Sequence, residues 1–205
     1  MRYVISSCTV AAALLVAACA PQTEIVKLYE ISNDGKRRFD QYFVVVIAGD
    51  SNTRRRLEDR VTEELRAEGA GAVPAHTETG PGTTLLQEDI DAAARRSGSD
   101  AILVSHVASV DTTADTREGR VDVKSECRGG DPADYFLYDY EELKEPDTVR
   151  LAHTVVVVTN LYEVSSGERV WTIQSTCFDK ETMDEVIHDE AEAIARQLRI
   201  DKLIG

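Results

Sequence analysis

QYFVVVIAGDSNTRRRLEDRVTEELRAEG, residues 41–69, decides the fold. Residues 41–48 are aromatic and β-branched with no polar alternation, the pattern of a strand covered on both faces. Gly49-Asp50-Ser51-Asn52-Thr53 then supplies a turn and side chains suited to capping a helix. Leu57, Val61 and Leu65 recur four apart among Arg and Glu, which predicts an amphipathic helix ending at Gly69. A strand that passes directly into such a helix is the opening of a β-α-β unit.

Downstream, the pattern repeats. A short strand is expected near 71–75, then a loop at Thr77-Glu78-Thr79-Gly80-Pro81-Gly82. A second amphipathic helix is predicted over 85–96, with Leu86, Ile90, Ala93 and Ala94 inward and Gly98 past its end. Residues 100–107, DAILVSHV, read as another buried strand. Parallel neighbours joined by right-handed crossovers follow from this order. Residues 111–149 are polar and acidic and read as a long loop insertion, with one candidate strand at 120–127 and an aromatic cluster, Tyr135, Phe136, Tyr138 and Tyr140. Residues 153–164 and 169–178 are strands separated by the hairpin turn Ser165-Ser166-Gly167-Glu168. A last helix over 180–198 turns Met183, Val186, Ile187, Ile194 and Leu198 inward. The expected fold is α/β, an α+β sandwich with a mixed sheet of about five strands and three packed helices in a single domain, 41–205.

The amino terminus carries a different signal. Met1-Arg2 is a short positive start, and residues 3–18 are uncharged and mostly apolar, ending Leu14-Leu15-Val16-Ala17-Ala18. That is the layout of a secretory signal peptide, and the apolar run is shorter than a membrane span needs. Val16-Ala17-Ala18-Cys19 resembles the bacterial lipobox. The resemblance implies cleavage after residue 18 and acylation of Cys19, and two or more acyl chains make attachment stable. Residues 19–40 read as a tether whose one candidate strand is 23–31. Ala20 after the lipid cysteine resembles the pattern of lipoproteins sorted to the outer membrane, where the domain would face the periplasm.

Net charge is −14, and one unit more negative once Arg2 is removed. Such a surface repels nucleic acid and anionic lipid headgroups, so the expected membrane contact is the lipid alone. Cys127 and Cys177 are the cysteines left besides the anchor. In an oxidising compartment they are expected to form a disulfide, with two buried thiols as the rival reading.

The hairpin LYEVSSGERVWTIQSTCF (161–178), with SGSDAILV (97–104) and LRIDKLIG (198–205), resembles a group of uncharacterised bacterial envelope lipoproteins. Their domain is similar to that of the curli-secretion lipoprotein, the lipoprotein activator of penicillin-binding protein and the amino-terminal part of TolB. The resemblance implies a fold and a compartment over residues 41–205, and no reaction. Two departures stand out. The acidic aromatic insertion 129–148 is outside the pattern, and no pair of long alternating strands suggests a membrane barrel.

Gly49-Asp50-Ser51 also resembles the first block of GDS(L)-type esterases, in which the serine is the nucleophile. Acyl transfer needs a base and oxyanion donors as well. The chain has no Gly-x-Asn-Asp block, and Glu185 rather than Asp stands three before His188. The reading favoured is a helix cap. His76, His106, His153 and His188 show no i, i+4 or H-x-H spacing, and Asp111, Asp115, Glu118 and Asp122 lack a tight calcium-loop pattern. Trp171 is expected in the core. No cofactor is expected. The expected function is non-catalytic: an envelope lipoprotein that binds or scaffolds another envelope protein, with Tyr135, Phe136, Tyr138 and Tyr140 as partner-binding residues. The alternatives are an ester hydrolase acting through Ser51, and a subunit of an envelope secretion or assembly complex.

Overall fold

The computed structural model describes residues 23–30, 37–79, 86–117, 121–127, 138–144 and 148–205, with side chains described outside 118–147. Among the described residues, eight strands and four helices run in the order β1 (Thr23–Glu30), β2 (Gln41–Ile47), α1 (Ser51–Ala67), β3 (Gly71–Pro74), α2 (Ala75–Thr79), α3 (Gln87–Arg96), β4 (Ala101–Arg117), β5 (Val121–Cys127), β6 (Tyr138–Lys144), β7 (Thr148–Glu163), β8 (Arg169–Lys180) and α4 (Met183–Ile200). Six strands form one mixed sheet, ordered β1-β8-β7-β4-β2-β3, and β5 and β6 pair separately. β2 is parallel to β3 and β4, whereas β4, β7, β8 and β1 alternate in direction. The α+β class expected from the sequence is the observed one.

β2 is buried on both faces, as its unbroken apolar run requires. Tyr42, Val44 and Val46 meet Leu57, Val61 and Leu65 of α1 and Ile187, Ile194 and Leu198 of α4. Phe43 and Val45 point the other way, to Ala75 of α2 and Ala93 and Ala94 of α3. Trp171 is fully buried on the α4 side, and its Nε1 donates to Asp201 Oδ2 at 2.7 Å. α1 ends where Gly69 takes φ +99°, a conformation glycine adopts freely, and the Ala70 N–H closes back on Leu65 O at 3.0 Å. The β7–β8 turn likewise places Gly167 at φ +70°. After α4 the chain returns, and Leu203 O accepts from Phe39 N at 2.8 Å.

Glu58 ties three elements together. Fully buried, its Oε1 accepts from Val46 N at 3.1 Å and Arg54 Nε at 3.0 Å, while Oε2 accepts from His76 N and His76 Nδ1, each at 2.9 Å. The pairing of β3 with β2 ends at Val44↔Pro74, two residues short of Val46. The Glu58 carboxylate therefore takes the Val46 N–H that a longer β3 would have met, and the same group caps the start of α2.

Several expectations are corrected. Residues 75–79 are a short helix rather than loop, because Thr77 and Thr79 hydroxyls donate to Pro74 O and Ala75 O and close one turn. Leu86 is 55% exposed, since α3 begins after it. The described residues of the stretch 111–149, read from the sequence as a loop insertion, are strand. β4 continues to Arg117, and β7 starts at Thr148 and pairs with it throughout, so 17- and 16-residue strands form a long ribbon that the sequence did not suggest. The candidate strand at 23–31 is present as β1, and its pairing with β8 makes residues 23–30 part of the sheet and not of a tether. Cys177 is a free buried thiol, so the expected Cys127–Cys177 disulfide is not seen. It points into an apolar cluster with Val155, Val157 and Val186 under α4, and burial pushes its thiol up.

Removing the Glu58 carboxylate strands Val46 N, Arg54 and His76 at once. Glu58→Ala is expected to lose about 3–5 kcal/mol in chemical denaturation. Glu58→Gln should lose less, since its amide oxygen still accepts but its amide nitrogen cannot. A loss under about 1 kcal/mol for Glu58→Ala would show the network to be dispensable.

Candidate functional site

The turn between β2 and α1 is a cap. Asp50, in extended conformation, accepts from Asn52 N at 3.0 Å and Thr53 N at 2.8 Å, and these bonds hold its carboxyl below the usual range. Ser51 is the first residue of the helix. His188, the histidine that a hydrolase would pair with Ser51, is on α4, where its Nδ1 accepts from Arg60 at 2.7 Å. That contact lies on the α1–α4 seam, where Arg56 pairs with Asp184 and Glu68 with Arg199. Ser51 and His188 are thus committed to different structural tasks.

The remaining sequence candidates do not converge. His76 is held by Glu58, with Asp59 Oδ1 3.4 Å from its Nε2. His153 meets the Thr112 hydroxyl at 3.0 Å on the exposed ribbon, and His106 is exposed on the sheet face away from α4. Among the described residues, no three His, Cys, Asp or Glu side chains are grouped to hold a metal ion. Asp111 and Asp115 lie four residues apart on β4; the side chain of Asp122 and residue Glu118 lie outside what is described. Tyr138 and Tyr140 fall on β6, whose backbone alone is described, opposite Cys127 and Ser125. Tyr135 and Phe136 lie outside the described residues.

Two features were not anticipated. The first is the outer half of the β4–β7 ribbon, where strand alternation sorts residues by face. Val110, Thr112, Ala114 and Thr116 share one face with their partners Val155, His153, Leu151 and Val149. Asp111, Asp115, Arg117 and Arg150 lie on the other. On the face free of Asp, Glu, Lys and Arg, Val149 is 61% and Leu151 45% exposed. Thr, Ala and His between the larger apolar residues hid this pattern from a reading by hydrophobic alternation.

The second is a cavity of about 310 Å³ where β4 and β7 meet α4 and the β2–α1 turn. Val107, Val155, Val157, Val186 and Ile187 line it, and Asp50 stands at its margin. Glu190, 1% exposed, is its one deeply buried acid. Oε2 lies 2.5 Å from Ser175 Oγ, and Oε1 has no hydrogen-bond partner among the described residues. Burial pushes the Glu190 carboxyl up to about 7, opposed by the Ser175 hydroxyl and helped by the neighbouring Asp189 charge. The available signal was positional, because Glu190 follows Met183, Val186 and Ile187 at helical spacing on the inward stripe. A separate cavity of about 430 Å³ lies beside α3, between Ile90, Val104, Tyr162 and Arg95.

No protein-family model matches the chain, and no curated protein does. Solved structures similar to it include the PelC dodecamer from Paraburkholderia phytofirmans, at 15% identity and TM-score 0.48, spanning 89% of this chain and 99% of that one. Lipoprotein GNA1162 from Neisseria meningitidis is similar at 12% identity and TM-score 0.41, over 78% and 96%. A homologue of neuraminyllactose-binding hemagglutinin from Helicobacter pylori is similar at 12% and 0.36, over 83% and 92%. A lipoprotein therefore stands among the structural neighbours, and at these identities and scores none of them decides a function.

Two outcomes test the site as described. Asp50→Ala should lower the melting temperature by about 2–4 °C, and Ser51→Ala by less, because Asp50 carries the cap; the reverse order would return Ser51 to consideration. For Glu190, a folded value above its ordinary 4.5 favours folding fully below about pH 4.5 and loses that contribution as pH rises through about 7. The stability of the wild type relative to Glu190→Gln should therefore fall by up to about 3 kcal/mol from pH 4.5 to pH 8. A pH-independent difference would show an ordinary carboxyl.

Proposed function

We propose that the chain is a lipid-anchored envelope protein that binds another envelope protein without catalysing a reaction. Residues 1–18 act as the signal peptide, Cys19 carries the lipid, and 19–22 join it to β1. In this reading the lipid sits in the outer membrane and the domain faces the periplasm. The observation that carries the binding role is the ribbon formed by β4 and β7, with the exposed Val149 and Leu151 on a face free of acidic and basic residues. Large apolar side chains held exposed on a two-stranded arm are binding material. Tyr138 and Tyr140 on β6, with Tyr135 and Phe136 shortly before them in sequence, are the further residues proposed for the partner.

Direction supports the same reading. β1 and β7 are both antiparallel to β8, so they run the same way. Thr23, Cys177, Val155 and Val110 form one row of partners across β1, β8, β7 and β4. From that row the ribbon extends seven more residues to Thr148, about 23 Å. The four residues from Cys19 to Thr23 reach at most about 14 Å. An anchor at Cys19 thus brings the arm to the membrane surface, where an envelope partner is met.

The test is site-specific photo-crosslinking in intact cells. A photoreactive residue at Val149 or Leu151 should crosslink to one envelope protein, and one at Arg150, on the opposite face, should not. Cys19→Ser should move the protein to the soluble fraction and weaken the crosslink. Equal labelling from both faces, or an unmodified Cys19 in the mature protein by mass spectrometry, overturns the reading.

A further inference from the structure

We propose that the cavity under α4 is a binding site for a small apolar molecule bearing a primary amine, with Glu190 as the group that receives the amine. The inference is independent of the ribbon and of the anchor. It starts from hydrogen counting. Ser175 Oγ lies 2.5 Å from Glu190 Oε2 and 3.4 Å from Val157 O, and a hydroxyl has one hydrogen to give. If Glu190 is ionised, Ser175 donates to Oε2. If it is protonated on Oε2, that O–H donates to Ser175, and Ser175 donates to Val157 O; in both arrangements Oε1 is an acceptor without a donor among the described residues. If the proton is on Oε1, Ser175 donates to Oε2 and Oε1–H is left without an acceptor, so Oε1 is unmatched in every case, on a side chain that lines the cavity. A buried acceptor left unpaired costs about 1–3 kcal/mol, which a ligand donor recovers.

The walls decide the rest of the ligand. Val107, Val155, Val157, Val186 and Ile187 offer no hydrogen bonds, so the body of the molecule is apolar. The volume of about 310 Å³ is at the small end for ligand sites. Charge favours a cation over a neutral donor. Glu190 faces Ser175 and Cys177 from β8 and Asp50 from the β2–α1 turn; Asp189 beside it on α4 pairs with Lys180 of β8. The groups that act on the Glu190 carboxyl, Ser175 and Asp189, are neutral or acidic, and Asp50 is a further carboxylate lining the cavity. Binding an ammonium also draws the proton from Glu190, so affinity is tied to pH.

The experiment uses the mature, acylated chain in phosphatidylcholine nanodiscs, with methyl-labelled Val, Ile and Met followed by NMR. Three water-soluble probes share one ring and differ in head group: cyclohexylmethylamine, cyclohexylmethanol and cyclohexanecarboxylate. The expected result is that the amine shifts the methyls of Val155, Val157, Val186 and Ile187 and binds at least about tenfold more tightly than the carboxylate. Its affinity should rise about tenfold from pH 6 to pH 8 as Glu190 ionises. Glu190→Gln should abolish the pH dependence and the preference for the amine over the alcohol. Should that variant not fold, the wild-type comparison of the three head groups decides alone. Absence of amine-induced shifts at these methyls, or a carboxylate that binds as well as the amine, overturns the proposal.

Discussion

The buried carboxylate of Glu58 is the constraint around which the β-α-β half is arranged. β2 pairs with β4 along most of its length, but β3 stops at Pro74, and a proline cannot extend a ladder by its own N–H. That leaves Val46 N unpaired in the middle of the core. An N–H buried in this way must find an acceptor. Glu58 reaches it from α1, and in doing so fixes the rotation of α1 so that Leu57, Val61 and Leu65 face β2. Its second oxygen fixes the start of α2 through His76, and α2 brings Ala75 to the opposite face of β2. One side chain thus sets the placement of helices on both sides of the sheet.

Glu190 is as deeply buried as Glu58, yet it has a different role, and the number of donors separates them. Four donors surround Glu58, including the Arg54 guanidinium, so its burial is offset within the fold. Among the described residues Glu190 has one neighbouring hydroxyl and no donor to its second oxygen, and it lines a cavity. Burial of that kind is a net cost to the folded chain, which explains why its carboxyl holds its proton to about 7. A ligand of the kind proposed would remove part of that cost.

Legibility in the sequence tracked how many residues spoke for each element. The strand 41–48, the helix ending at Gly69, the turn at Gly167 and the burial of Trp171 were readable, because each rests on several residues agreeing or on a glycine at a fixed turn. The ribbon was not readable. Thr112, Thr113, Ala114 and Thr116 suit a strand but carry little hydrophobic contrast, and the acids Asp111 and Asp115 made the stretch look like loop. The buried acids were also hidden. Helical spacing shows where the apolar stripe lies, but Glu58 stands beside its stripe and Glu190 within its own, and a lone charge in either place reads as solvated surface. Whether such an acid turns inward depends on a donor supplied from elsewhere in the chain: β2 and α2 for Glu58, β8 for Glu190. The expected disulfide was inferred from counting cysteines, and counting carries no information about the α4 layer into which Cys177 points.

One end of the sheet holds the arm, the cavity and the first residue of β1 together. The row Thr23–Cys177–Val155–Val110 runs across four strands, and its last two residues border the cavity while its first is four residues from Cys19. The same two strands that leave this row as the exposed ribbon form the cavity's sheet wall. Ligand contact at Val155 and Val157 therefore bears on the root of the arm, and an apolar body between β7 and α4 would stiffen the point from which the arm projects. A two-stranded ribbon is only as well aimed as its root, because it has no third strand to brace it. In this arrangement, occupancy of the cavity and presentation of the arm are properties of one pair of strands, so a ligand at Glu190 has a direct physical route to the surface proposed for the partner.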